Sequence, residues 1–429
     1  MKAHRTQLRP VKLLVRCAGL LLLCFAAPGA AQEAAETDVR RSEPGLMMSE
    51  HAYRRFEQIT ALYGDGRHAD ALAMAESYLR ADLNDYERAM GEQLAGYALV
   101  ALGRPTEALP RFERAVALDA LPNDAHFNML RSLAQLYASL ERWQQSVDVM
   151  SRYFVYQQDA SAEDRIMMGQ ALVQLGRHRE ALSWVRGALE RAGDEPRESW
   201  LQLELAILFE LDDHAGALDV LNRMVARWPD RLRYWEMMAG VHQQLNQDME
   251  ALAALTAAYN GGLFTGQEKL LNLVRMNMYV GLPYQAGRIL DRALDASRVE
   301  ADRATLELLL EAWVAAREFD LAAGVIDRLA PLSRDGNLYM RKARMRMEQN
   351  QWQAALEAVD RALELGGVSE PGNAWLLRGI ALLELERLEE SRQAFRQAQD
   401  FDPDTRRQAR EWQRFVEDKI RVAGLRPGR

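Results

Sequence analysis

Histidines are the side chains best able to ligate a metal or move a proton near neutrality, and this chain has seven of them. His68, His178 and His214 each occupy the same place in separate copies of a repeated unit, so they are distributed along the chain and cannot converge on one ion. His242 falls inside a helical stretch with no second ligand at metal-binding spacing. Two glycine-rich fragments, Gly64-Asp65-Gly66 and Gly281 to Gly287, look like parts of phosphate loops. Neither is followed by Gly-Lys-Ser/Thr and neither follows a strand pattern, so both are expected on turns. No G-x-S-x-G elbow and no H-E-x-x-H helix is present, and no pair of carboxylates stands out as acid and base. The densest cationic run is Arg341, Lys342, Arg344 and Arg346, spread round one helical turn with Glu348 and Glu357 near it; Arg406, Arg407 and Arg410 form a second. Both read as solvated faces, with an anionic partner segment as the alternative. No catalytic residue, metal or cofactor is expected.

The elements that carry these residues repeat. Gly372 to Pro403 holds Trp375, Gly379 and Leu382 on one helical face and Ser391, Phe395 and Ala398 on a second. Glu386-Arg387 turns the chain between them, and Pro403 follows the second helix. Aligning the rest of the chain on the small residue at offset 20 of this unit gives Ala71, Ala108, Ser146, Ala181, Ala217, Ala251, Ala286, Ala322, Ala355 and Ser391. Their spacing stays between 33 and 38 residues, too narrow a range for coincidence over ten copies. Offset 24 is apolar every time: Ala75, Phe112, Met150, Val185, Leu221, Leu255, Leu290, Ile326, Val359 and Phe395. Offset 15 is Gly66, Gly103, Gly176 and Gly281 in four copies and Asn246 and Asn350 in two, residues that accept the left-handed conformation ending a helix. The first copy reverses the usual sizes at Ala75 and Tyr78, and the seventh puts Asn277 at an apolar offset.

Composition agrees. Hydrophobic residues make up 48% and charged ones 27%, with only 27 Gly and 13 Pro in 429 residues, and no alternating β-branched run of strand length appears. The first 31 residues differ: Lys2, Arg5, Arg9, Lys12 and Arg16 precede an apolar run from Cys17 to Ala27 and then Gly29-Ala30-Ala31. This pattern is that of a secretory signal peptide cleaved before Gln32. The run is too short to span a bilayer, and lipid attachment at Cys24 would call for a small residue where Leu23 stands. Removing a leader with five basic residues and no acid takes the formal net charge from −8 to −13, and removes both cysteines. An acidic exported chain without thiols fits neither a disulfide scaffold nor a nucleic-acid binder. Residues 32–48, with Pro44-Gly45, are expected to be a flexible linker, and Ser49 to cap the first helix. Residues 49–403 are then the repeat array and 404–423 a capping helix with Ala409, Trp412, Phe415, Val416 and Ile420 on one stripe. Residues 424–429 form a tail.

The alternation of large and small residues resembles the tetratricopeptide (TPR) pattern W-x2-L-G-x2-Y…A-x3-F…P, which has a period of about 34; Arg378 stands where that family usually has Leu. The resemblance implies an all-α fold, a right-handed α-solenoid of about ten helical hairpins. It also implies a concave face lined by offsets 2, 5, 9, 12 and 13 of each first helix. Those positions are Asn128, Arg131 and Gln135; Gln170 and Gln174; Gln202 and Glu210; Arg233, Glu236, Gln243 and Gln244; and Arg275, Met278 and Tyr279. An amide-rich groove can hydrogen-bond an extended peptide backbone; the alternative is a plain solvated surface. The Lys and Asn set with which some TPR domains grip a C-terminal carboxylate is absent from these offsets.

Five stretches go beyond the generic pattern: Glu198–Leu211, Arg233–Gly240, Lys269–Leu290, Val325–Asp335 and Arg406–Phe415. They resemble exported TPR proteins found beside TonB–ExbB–ExbD systems of Gram-negative bacteria. That resemblance implies a non-enzymatic periplasmic scaffold, with periplasmic segments of TonB or ExbD as partners and no nucleic acid. A factor in envelope biogenesis or polysaccharide export, or a regulatory subunit of a cell-wall enzyme, would use the same fold with another partner.

Overall fold

The computed structural model describes residues 41, 44–45, 47–333 and 335–424. The leader, most of the linker and most of the tail lie outside the described residues.

Among the described residues every regular element is a helix: α1 (Glu50–Gly64), α2 (His68–Tyr78), α3 (Asp85–Ala101), α4 (Pro105–Ala117), α5 (Asn123–Ser139), α6 (Trp143–Tyr156) and α7 (Ala162–Gln174). Then come α8 (His178–Ala192), α9 (Glu198–Glu210), α10 (His214–Arg227), α11 (Leu232–Gln244), α12 (Asp248–Asn260), α13 (Gln267–Tyr279) and α14 (Pro283–Asp295). The remainder are α15 (Arg303–Ala315), α16 (Phe319–Ser333), α17 (Gly336–Glu348), α18 (Trp352–Leu365), α19 (Pro371–Glu384), α20 (Leu388–Ala398) and α21 (Pro403–Gly424). Consecutive helices pair into hairpins. The described residues form two compact units, those up to 130 with 151–158, and 131–150 with those from 159 onward. Each is a run of α-solenoid, hairpin against hairpin.

One packing rule builds every hairpin. All ten residues at offset 20 are fully buried, because there the second helix crosses close to the first. Where that residue is serine, its hydroxyl is satisfied by the facing helix: Ser146 Oγ donates to the Ala134 carbonyl at 2.9 Å and Ser391 Oγ to the Gly379 carbonyl at 2.8 Å. At offset 8, a Cβ on Gly96, Gly169 or Gly379 would lie 2.2, 2.7 or 2.5 Å from Phe112, Val185 or Phe395, the large residues at offset 24. In the first hairpin the large residue has moved to Tyr78, and Gly91 of the next hairpin makes room for it, an added Cβ there falling 2.8 Å from the ring. Of the offset-24 residues, Leu255 is only half-buried. Asn277 is buried and donates from Nδ2 to the Leu273 carbonyl at 2.8 Å, which satisfies its amide within its own helix.

The hairpin turns are also uniform. In each, the N–H at offset 16 donates to the carbonyl at offset 11, as Arg67 does to Leu62 and Arg387 to Leu382, both at 2.9 Å. The residue between takes positive φ in all ten copies. Six are the Gly and Asn positions read from the sequence; the others are Glu141, Asp212, Arg317 and Glu386, with φ between 54° and 60°.

Two features go beyond what the sequence shows. Part of the linker is held: the Met47 carbonyl accepts from Asn84 Nδ2 at 2.9 Å, Ser49 N–H donates to Glu87 Oε1 at 2.8 Å, and Arg41 is anchored as well. Hydrogen-bond acceptors on α3 and beyond α4 reach back to it, which composition cannot reveal. On α21, Ala409 and Val416 are buried against Leu376, Leu383, Phe395 and Ala398, and Trp412 stacks on Phe395 with ring centroids 6.0 Å apart. The stripe is wider than the surface it covers, however, and leaves Trp412 37% and Phe415 49% exposed.

Candidate partner-binding face

In the second unit the first helices α7, α9, α11 and α13 carry the variable offsets. Gln135 on α5, Gln170 and Gln174 on α7, Glu210 on α9, Gln243 and Gln244 on α11, and Arg275 and Tyr279 on α13 are exposed, Tyr279 at 73%. Asn128 belongs to the first unit and is exposed there on α5.

Several other members of the set are engaged in ties between neighbouring hairpins. Arg131 Nε donates to Asp164 Oδ1 at 2.6 Å. Gln202 Nε2 donates to the Tyr234 hydroxyl at 2.8 Å, and that hydroxyl donates to the Glu198 carboxylate. Arg233 Nη2 donates to Glu198 Oε1 at 2.9 Å and also to the Tyr234 hydroxyl. Glu236 is paired with Lys269, and Gln243 Nε2 lies 3.7 Å from Met276 Sδ. Gln202, Arg233, Glu236 and Arg131 are therefore already spoken for. Hydrogen bonds from the Tyr234 hydroxyl, then from Arg233, hold the Glu198 carboxyl below the ordinary glutamate range. An open notch of about 680 Å³ lies at the N-terminal ends of α9 and α11, between Glu198, Ser199, Gln202 and the segment from Asp230 to Arg233.

The sequence set omits the centre of this face. Gly240 lies mid-way along α11 at offset 9, one position beyond the offset where glycine is needed for packing. A Cβ there would meet nothing within 4 Å, and its backbone is ordinary helix. Glycine in a helix interior costs about 1 kcal/mol relative to alanine, so neither packing nor conformation accounts for it. At the same offset of the flanking hairpins stand half-buried Ala206 and exposed Arg275. The signal was in the sequence, a glycine inside a helical period. Only the open space above it separates it from Gly96, Gly169 and Gly379.

The residues first considered for chemistry have structural positions. His68, His178 and His214 each begin a second helix, and His242 Nδ1 lies 2.8 Å from Gln247 Oε1. Among the described residues, no three His, Cys, Asp or Glu side chains gather as a metal site. In the cationic run, Lys342 pairs with Asp327 at 2.7 Å and Arg346 with Asp320, both reaching α16, while Arg341 and Arg344 remain exposed. Two carboxylates in largely apolar stretches are buried among arginines. Glu92 accepts from Arg114 at 2.8 Å and Arg111 at 3.2 Å, and Glu204 from Arg186 at 3.0 Å and Arg223 at 3.3 Å. Glu92 thereby ties α3 to α4 within one hairpin, and Glu204 ties α9 both to α10 and to α8 of the preceding hairpin. Among the described residues no helix is long and apolar enough to cross a membrane.

Comparison with known proteins gives the following. A search of curated proteins finds no match. Among solved structures, the chain is similar to a tetratricopeptide repeat protein from Parabacteroides merdae, at 14% identity over 62% of this chain and 99% of the other, with a TM-score of 0.37. It is similar to the structure of Naa15/Naa10 bound to HypK-THB at 17% identity over 85% and 60%, TM-score 0.44. YrrB, described as a TPR protein with an unusual peptide-binding site, matches at 19% identity over 43% and 91%, TM-score 0.38. The tetratricopeptide repeat family model matches residues 94–162, 166–231 and 340–405. The chain therefore carries tetratricopeptide repeats in those three stretches, within an array of hairpins built to one rule.

Proposed function

We propose that this protein is a non-enzymatic scaffold of the periplasm that holds an extended segment of a partner protein against the face formed by α9, α11 and α13. The observation that supports this reading most is Gly240: an open, fold-independent glycine lets a partner backbone approach α11 closely, with the exposed amides of Gln243 and Gln244 one turn away. A preformed face leaves most of the ordering cost with the ligand. The partner is a component of a TonB-dependent transport system, TonB or ExbD, on the resemblance of the five stretches named above. A Pro- and Lys-rich TonB segment is drawn by the −13 formal charge of the chain without its leader.

Two measurements test it. In-cell crosslinking from a photoreactive residue at Gln244 is expected to capture TonB or ExbD; capture of an envelope-assembly factor alone would replace the partner and leave the scaffold. Gly240→Trp is expected to abolish capture without lowering the thermal unfolding midpoint. Undiminished capture by that variant would refute the face.

A further inference from the structure

In the strap ahead of α1, Arg41 is fastened to its own unit by its guanidinium, in addition to the bonds at Met47 and Ser49. Arg41, whose side chain is 7% exposed, donates from Nε to Asp119 Oδ1 at 2.8 Å and from Nη2 to the Asp119 carbonyl at 2.6 Å. Its Nη1 donates to the Leu121 carbonyl at 2.8 Å and to Asn123 Oδ1 at 3.1 Å, and Asn123 Nδ2 returns a bond to the Arg41 carbonyl at 3.3 Å. Five hydrogen bonds thus join one residue to the loop between α4 and α5 and to the first residue of α5.

Beside this anchor lies His126, on the first turn of α5. The ring is buried, and Nδ1 has no hydrogen-bond partner although it sits 3.6 Å from Asp119 Oδ1, the oxygen that Arg41 occupies. The charged groups facing the ring are Arg41 from the strap, Asp119 from the loop and Arg152 from α6. A neutral ring tolerates two cations nearby, whereas an imidazolium would be repelled by both and attracted only by Asp119.

We propose that Arg41, Asp119 and His126 form a proton-operated latch: a proton on His126 turns Nδ1 into a donor, Asp119 passes from Arg41 to the imidazolium, and the strap is released. Release leaves the carbonyls of Asp119 and Leu121 free to accept from another chain. The sign follows from linkage. Burial first, and then Arg41, hold the ring's titration below the ordinary histidine value of 6.5 while the strap is seated. The proton therefore binds the released form more tightly. The strap holds above pH 6.5 and is lost as pH falls below it, the released-to-seated ratio rising about tenfold per pH unit until the seated form titrates too.

The full chain tests this in two ways. With isotope-labelled histidine, the His126 resonance is expected to titrate below the ordinary histidine value of 6.5, and Arg41→Gln to move its midpoint up toward that value. Tryptic cleavage after Arg41, normalised at each pH to an unstructured Arg peptide, is expected to accelerate between pH 7 and 5.5 in the native chain and stay flat in His126→Asn. A His126 midpoint identical with and without Arg41, or a cleavage rate in the native chain that does not change with pH, would overturn the latch. The Arg41→Gln arm decides the matter even where His126→Asn fails to fold.

Discussion

Gly240→Ala and Gly379→Ala are the same chemical change at the middle of equivalent helices, and they should have opposite consequences. Replacing either glycine removes backbone freedom from the unfolded chain and should favour the helix by about 1 kcal/mol. At Gly240 nothing lies within 4 Å of the new methyl group, so that gain should be realised in full. At Gly379 the new Cβ would lie 2.5, 2.7 and 2.7 Å from three ring atoms of Phe395. That ring is fully buried and stacked on Trp412, so it has nowhere to go without disturbing the cap. Overpacking of this kind costs about 1–3 kcal/mol. Because the helix gain is common to both variants, the difference between them isolates the clash and should itself be about 1–3 kcal/mol. A repeat array can open locally, so a single global midpoint would blur the result. Native-state hydrogen exchange resolves it: amides of α11 should slow about fivefold in Gly240→Ala, while those of α19 to α21 should speed up in Gly379→Ala. Equal slowing in both would show that the small residue at offset 8 is not required by the facing aromatic, and the packing argument made for Gly96, Gly169 and Gly379 would fall.

Two further outcomes concern the turns and the ties. Glu386 takes φ of 59° at a position that other hairpins give to glycine, so Glu386→Gly should stabilise the last hairpin by up to about 1 kcal/mol, seen as slower exchange in α20; faster exchange would mean that its side chain earns its place by contacts. The Glu198 carboxyl titrates below its ordinary 4.5 because of Tyr234 and Arg233, so the tie between α9 and α11 contributes above that value and is lost as pH falls through the lowered one. Tyr234→Phe should move the Glu198 midpoint upward by NMR titration and shift acid loosening of α9 to higher pH; an unmoved midpoint would assign the shift to Arg233 alone.

Ten copies of a two-helix unit, the buried small residues at offset 20 and six of the ten turn positions were legible in the sequence, because packing at fixed spacing leaves a residue-type signature in every copy. The other four turns were not. Glu141, Arg317 and Glu386 carry no conformational preference that betrays them and Asp212 only a weak one, and their positive φ is imposed by the same i to i+5 hydrogen bond that closes the other six. The candidate face was half legible. Offsets 2, 5, 9, 12 and 13 selected exposed side chains such as Gln170, Gln244 and Tyr279. They also selected Gln202, Arg233 and Glu236, whose partners Tyr234, Glu198 and Lys269 lie on other offsets, mostly in the adjacent repeat. A one-dimensional register says which way a side chain points and nothing about what meets it.

The sequence by itself determined the architecture, since each repeat must bury the same face against its neighbours and spacing alone encodes that requirement. Only the tertiary structure decided which glycine serves packing and which stands open, which polar groups are free, and that Arg41 reaches a loop some eighty residues further along. Those properties depend on distances between residues remote in sequence, and no local pattern records them.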